Sequence, residues 1–198
     1  EGNPGAVQDR LSAAQLTVRG MEFMRQTLEG GVTAVRDCGG KDYIEFAIRD
    51  AYNAGRFLGP TMRCAGRMIC MTGGHGNRTG RVADGVDEVV KAVREQVHAG
   101  SDPVKIMATG GVMTPGVNPE DAHYSAEEMK AGITEAHRFH KCCASHAQGA
   151  LGILDAAALH LGGVGGEHGR EPGALECVGD VARAHIGLLQ PLEGALQR

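Results

Sequence analysis

The chain of 198 residues contains no tryptophan, and aromatic residues make up only 4% of it. It has no apolar stretch of membrane-spanning length and no signal peptide at its start, so we expect a cytoplasmic protein with no membrane partner. Its six cysteines form no CxxC pair and lack the spacing of a disulfide framework, which indicates reduced thiols. A net charge of -4 makes nucleic acid a poor partner.

Helices are predicted by capping signals and by hydrophobic spacing. Ser12 with Gln15 and Ser125 with Glu128 form capping boxes, each of which predicts the start of a helix. A further helix ending at Gly100 is predicted by valines at helical spacing, at positions 86, 89, 90, 93 and 97. Another, ending at Gly55, is predicted with an apolar face formed by Ile44, Ala47, Ile48 and Ala51.

Short apolar runs between these helices predict strands, at residues 32–35, 61–65, 104–107, 142–145 and, diluted by glycine, 164–167. Residues 70–84 and 108–124 are predicted as loops, 148–160 and 172–184 as helices, and 185–189 as a last strand. The alternation of strand and helix predicts an α/β fold in which crossover helices join parallel strands. We treat residues 1–198 as one partial domain.

Two architectures fit this alternation, a doubly wound open sheet and a (β/α)8 barrel. The candidate functional residues follow several different strands, which favours the barrel because it gathers all strand ends around one axis. An open sheet would concentrate its site at one switch point, and no GxGxxG motif follows the first strand. A complete barrel needs about 250 residues, so we expect an incomplete TIM-type barrel of about six strand–helix units.

Lys105 lies inside the apolar run 104–107, just before a glycine-rich loop. Burying an ammonium group is costly, so such a lysine either reaches solvent, pairs with an acid or loses its charge. One way to lose the charge is reaction of the neutral amine with CO2, which gives a carbamate able to bridge two metal ions. A Schiff-base lysine in another α/β enzyme is the alternative chemistry.

Histidines follow the later strands in the same way. His146 follows the run 142–145 and His168 follows the run 164–167, so each could direct an imidazole to a metal or serve as a hydrogen-bonded structural group. His75 lies among glycines and could contact substrate or stabilise an oxyanion. Tyr124, just before a predicted helix, could donate to a substrate carboxylate or simply pack.

Seven motifs in order resemble the amidohydrolase superfamily, in particular the branch of the Xaa-Pro dipeptidases (prolidase-like) and imidazolonepropionase-related enzymes. They are Gly31–Asp37, Gly59–Arg63, Thr72–Gly76, Val104–Gly111, Tyr124–Ser125, Ser145–Ala147 and Glu167–Gly169. The resemblance covers residues 12–169, and the tail 170–198 matches poorly.

The resemblance implies a (β/α)8 barrel with two divalent metal ions, usually zinc, although manganese or iron would also suit such ligands. It implies that Lys105 is the carboxylated bridging lysine, that His146 and His168 are metal ligands, and that His75 and Tyr124 lie near the substrate. The implied reaction is attack of a metal-bridging hydroxide on an amide carbonyl of a small peptide or other amide. The full-length family is expected to form homo-oligomers.

Several features of the family pattern are absent from the sequence. It contains no His-X-His pair, which the family carries at its first strand, and no counterpart of the family's last-strand Asp, which is the general base. The first strand, the last strands and a small β-sandwich are also expected to be missing. We therefore expect weak metal binding and no turnover by these 198 residues alone. A non-catalytic remnant or interaction fragment, or an imidazolonepropionase-like cyclic amide hydrolase, remain alternative interpretations.

Overall fold

The computed structural model describes residues 10–162. Its helices are α1 (Ala13–Glu29), α2 (Ile44–Asn53), α3 (Gly85–Ala99), α4 (Ala126–Arg138) and α5 (Ala150–Gly162). Its strands are β1 (Ala34–Asp37), β2 (Thr61–Cys64), β3 (Ile69–Cys70), β4 (Arg81–Val82), β5 (Val104–Met107) and β6 (Cys143–His146). The predicted elements 164–167, 172–184 and 185–189, together with His168, lie outside the described residues.

Every strand pairing in the described part of the chain is parallel. β1 pairs with β2, and a second sheet has the order β4-β3-β5-β6. The Asp102 amide at the start of β5 donates to the Cys64 carbonyl at the end of β2, over 2.8 Å. The predicted α/β fold with parallel strands and crossover helices is therefore confirmed, whereas closure into a barrel remains a prediction.

Helix starts follow the sequence signals closely. Both capping boxes form, with the Ser12 and Ser125 hydroxyls accepting from the amides of Gln15 and Glu128. α3 ends at Gly100, whose φ of 98° is the left-handed conformation that glycine adopts without strain. Within 70–84, predicted as a loop, the structure adds the short strand β4, which pairs with β3.

The buried face of α2 differs from the predicted one. Ala47 is exposed, and the helix instead buries Glu45 together with Phe46, Ile48 and Tyr52. The turn before this helix places Asp42 and Tyr43 in left-handed conformations, with φ of 57° and 58°. This turn orients the helix, and the spacing of the apolar residues alone does not reveal that orientation.

Two hydrophobic clusters hold the described elements together. The larger packs α3 and α4 against one face of β5 and β6 through residues such as Val93, Ile106, Met129, Ile133 and Cys143. The smaller packs α2 on β2 through Phe46, Ile48, Tyr52, Met62 and Cys64. Among the described residues, no helix is both long and apolar enough to cross a membrane.

Candidate functional site

The predicted site residues of β5 and β6 share one face of the sheet. Lys105 lies opposite Ala144 and Met107 opposite His146 in the parallel register. Because opposite residues point the same way and alternate residues point to opposite faces, Lys105 and His146 project from the same face. Val104 and Ile106 project from the other face into the core beneath α3 and α4.

Lys105 is buried, with only 8% of its surface exposed. Burial lowers the pKa of its amine because the charged form loses hydration, and the electrostatic interaction with Cys38 only partly opposes this shift. The environment thus favours the neutral amine, which is the form that reacts with CO2. The carbamate and the Schiff-base alternative both use a neutral amine, and both remain predictions.

His146 is the last residue of β6, one position beyond the strand that the sequence predicted, and it is 7% exposed. Its Nε2 lies 3.0 Å from the Gly110 carbonyl oxygen. A carbonyl can only accept, so Nε2 carries the proton and donates. The lone pair of the neutral ring is then on Nδ1, and a backbone carbonyl on the distal nitrogen is the usual partner of a metal-ligating histidine.

His75 lies directly against His146, with ring centroids 4.8 Å apart and planes inclined by 43°. It is buried, and its Nδ1 lies 3.0 Å from the Thr114 hydroxyl oxygen. Gly111 makes room for this ring, because a Cβ on Gly111 would lie 2.5 Å from Nε2 of His75. The structure therefore brings together two histidines that were predicted from separate motifs.

Tyr124 is placed in the larger hydrophobic cluster and is 4% exposed. Its hydroxyl donates to the Ala83 carbonyl over 2.9 Å, and burial strongly raises the pKa of the phenol. This bond ties the start of α4 to the segment before α3. In the described structure Tyr124 is a packed core residue, and its predicted contact with substrate stays a prediction.

The loop between β5 and α4, residues 108–125, contributes contacts that the sequence did not reveal. It supplies Gly110 to His146 and Thr114 to His75, and its His123 ring accepts from the His75 backbone amide over 3.4 Å. The His123 contact is therefore a structural one, between the loop and the backbone at His75. A groove of about 620 Å³ runs along the same loop, lined by residues that include Met71, Val117 and Leu151.

Two acids face each other near the end of β1, the half-buried Asp37 of that strand and the buried Glu45 of α2, and the sequence did not mark them as a pair. The Gly39 amide donates to Asp37 over 3.1 Å, whereas neither carboxylate oxygen of Glu45 has a hydrogen-bond partner in the described structure. Burial, reinforced by the charge of Asp37, raises the pKa of Glu45 to about 7. Gly40 leaves space for this group, since a Cβ there would lie 2.1 Å from Oε2.

The donor set fits a metal centre only in part. Lys105 is buried, as a bridging carbamate requires, and His146 is buried and has a backbone carbonyl on Nε2, as an imidazole ligand requires. Within the described residues, however, no three His, Cys, Asp or Glu side chains are grouped so as to hold a metal ion. His168, the other predicted ligand, lies outside those residues.

Comparison with known proteins agrees with these observations. A family model described as the amidohydrolase family matches residues 6–195. Ochratoxinase from Aspergillus niger is 33% identical over 72% of this chain, which spans 34% of that enzyme's length. A crystal structure of an Xaa-Pro dipeptidase with bound methionine superposes with a TM-score of 0.72, at 29% identity over 76% of this chain and 41% of that one. A crystal structure of a prolidase complexed with N-methylphosphonate-L-proline superposes with a TM-score of 0.71, at 29% identity over 80% of this chain and 42% of that one.

Proposed function

Because the chain belongs to the amidohydrolase family, we propose that it supplies part of the active site of a metal-dependent amidohydrolase. The substrate is a peptide or other small amide, with Xaa-Pro dipeptides as the first class to test. The observation that carries this proposal is the placement of Lys105 and His146 on one face of adjacent parallel strands, with the His75 ring packed against His146. Residues 1–198 are then part of one (β/α)8 barrel domain.

The metal-facing residues would be Lys105 as a carbamate, His146 through Nδ1, and His168. When bound, two divalent ions, zinc first among them, would supply Lewis acidity that polarises the amide carbonyl and activates water. The residues around Lys105 and His146 favour the chemical forms of these side chains that can bind metal. Burial lowers the pKa of the Lys105 amine and so favours the neutral form, which can add CO2 and release a proton, and Gly110 holds the His146 lone pair on Nδ1.

His75 would act on substrate, because its ring packs against the proposed ligand His146. An imidazole N–H at this position could donate to a carboxylate or a carbonyl oxygen of a dipeptide. The apolar residues Met71, Val117 and Leu151 line the nearby groove and could accept the side chain of the residue before proline. Tyr124 is proposed to support this wall, with any direct contact to substrate still to be tested.

The test uses the protein expressed from its complete open reading frame, with metal analysis and a panel of Xaa-Pro dipeptides and ochratoxin. We expect hydrolysis that a chelator removes and that Zn²⁺ restores. Lys105→Ala should abolish hydrolysis and lower the bound metal, and a small carboxylic acid should partly restore both by replacing the carbamate. Lys130→Ala, an exposed lysine of α4, is the matched control. Full activity in Lys105→Ala, or activity that needs no metal, would refute the proposal.

A non-catalytic role in self-association is the second candidate. Leu151 and Leu154 of α5 are 67% and 64% exposed, and exposed apolar helix faces favour association. A concentration-dependent oligomer with no metal-dependent hydrolysis would favour this candidate. Homo-oligomer formation and a cyclic amide as substrate stay predictions of the family resemblance.

A further inference from the structure

We infer that the groove along loop 108–125 binds the amino-terminal residue of the substrate, and that His123 and Asp121 select substrates whose α-ammonium group is free. The inference deepens the proposed function, because it names the part of the amide substrate that lies in the groove. It rests on that function, but the binding that it predicts is measured without hydrolysis.

The groove lies beside the residues of the candidate site. The backbone amide of Gly110 donates to the Asp121 carbonyl over 3.0 Å, and the carbonyl of Gly110 lies 3.0 Å from Nε2 of His146. One residue therefore connects the backbone of Asp121 to the proposed ligand His146. The His123 ring in turn contacts the backbone amide of His75. Because Asp121 and His123 both line the groove, a molecule bound there would lie near both site histidines.

His123 supplies the groove with a hydrogen-bond donor. The residue is 9% exposed, and its Nδ1 accepts from the His75 backbone amide over 3.4 Å. An amide N–H can only donate, so Nδ1 carries a lone pair and the proton of the neutral ring is on Nε2. Burial favours the neutral ring by lowering its pKa, although the charge of Asp121 opposes this effect. Among residues 10–162, Nε2 of His123 has no hydrogen-bond partner, so its N–H can donate to an acceptor on a bound molecule.

The charged groups of the groove are acidic. Glu120 and Asp121 are both exposed and line the groove, and none of the described lining residues is a lysine or an arginine. The side-chain amide of Asn118 donates to one oxygen of the Asp121 carboxylate over 2.8 Å, which orients that group. The groove therefore attracts a cationic group, whereas it repels an anionic one such as a carboxylate.

An amino-terminal amino-acid residue has three parts that match these features. Its α-ammonium group is a cation for Glu120 and Asp121, its carbonyl oxygen is an acceptor for Nε2 of His123, and its side chain can lie on the apolar residues of the groove. An N-acylated residue lacks the ammonium group and loses the attraction of the two carboxylates. The groove should therefore favour dipeptides with a free amino terminus over N-acyl amino acids.

Saturation-transfer difference NMR measures this binding on the protein expressed from its complete open reading frame. One probe is L-leucinamide, which carries the ammonium group, the carbonyl and an apolar side chain. The other is isocaproamide, which is the same molecule with hydrogen in place of the amino group. We expect L-leucinamide to bind roughly 2- to 10-fold more tightly at low salt, because only it can pair with the exposed carboxylates. Added salt should reduce this difference, because it screens exposed charges.

Substitutions assign the binding to the groove. Asp121→Asn should weaken the binding of L-leucinamide but not that of isocaproamide, and Asp87→Asn, at an exposed aspartate of α3, is the matched control. His123→Asn keeps an acceptor near the place of Nδ1 but removes the donor, so it should weaken the binding of both probes roughly 2- to 10-fold. His123→Gln keeps an N–H near the place of Nε2 and should bind both probes more tightly than His123→Asn does.

Equal affinity of the parent protein for the two probes would overturn the inference, and so would the absence of binding by either probe. Unchanged affinity for L-leucinamide in folded Asp121→Asn and His123→Asn proteins would also overturn it. None of these outcomes depends on hydrolysis. Binding as expected without any hydrolysis of dipeptides would therefore reject the proposed function and leave a groove that binds amino-terminal residues. Metal-dependent hydrolysis with equal binding of the two probes would reject the inference alone.

Discussion

Glu45 should make the stability of the chain depend on pH, in a direction opposite to that of an ion-paired acid such as Glu135. Its carboxyl group is 5% exposed, its two oxygens lack hydrogen-bond partners in the described structure, and its pKa is raised from 4.5 to about 7. At about 1.4 kcal/mol per pKa unit, this pKa difference corresponds to about 3 kcal/mol in the free energy of unfolding.

The sign follows from the protonated form being favoured in the folded state. The stabilisation is fully present below about pH 4.5, where folded and unfolded chains both carry the proton, and is lost as the pH rises through about 7. The charged groups that act on Glu45 are Asp37 and Asp42, which favour protonation, and Arg49, which opposes it. Asp37, whose pKa is itself raised by burial, adds a contribution of the same sign.

The assay is urea unfolding followed by circular dichroism at about pH 5 and about pH 8, comparing the parent chain with Glu45→Gln. The amide cannot ionise, and any cost of burying it is the same at both pH values. When the pH rises from about 5 to about 8, the free energy of unfolding of Glu45→Gln should therefore rise by most of about 3 kcal/mol relative to that of the parent chain. Glu127→Gln, an exposed glutamate of α4, should show no such gain. An equal stability difference at both pH values for Glu45→Gln would refute the reasoning.

Two further perturbations test other parts of the structure. Glu135 is buried and its pKa is lowered, first by the hydrogen bond from Arg94 and further by Arg138, so its stabilisation is present above about pH 4.5 and lost as the pH falls. Glu135→Gln should thus lose stability at neutral pH, with the loss shrinking in acid, and a loss that is constant with pH would contradict the assignment. Gly149→Ala would place a Cβ 2.0 Å from a backbone carbonyl oxygen of loop 108–125, and should cost roughly 1–3 kcal/mol in urea unfolding. Gly30→Ala is the control, because a Cβ on Gly30 would have its nearest atom at 3.4 Å. An equal loss of stability in the two variants would show that the contact at Gly149 is not rigid.

The elements that the sequence predicted are those with local signals. β5 matches its predicted range, and both capping boxes form, because a short apolar run or a Ser-x-x-Glu pattern acts on its own neighbours. β6 begins and ends one residue later than predicted, which makes His146 part of the strand. The α2 face could not be predicted, because the left-handed turn at Asp42 and Tyr43 sets the helix orientation, and for the same reason Glu45 was missed as a buried acid.

The site also contains some residues that local sequence signals predict and others that they do not. Lys105, His75 and His146 could be identified as candidates because each follows or occupies a recognisable apolar or glycine-rich motif. The groups that contact the two histidine rings, the Thr114 hydroxyl and the Gly110 carbonyl, lie in a loop whose path depends on contacts with two other strand ends. A backbone carbonyl carries no residue-type signal, and one threonine in a loop is not distinctive. The types of chemical group at this site are therefore predictable from the sequence, whereas the hydrogen-bond partners of the rings depend on the folded loop.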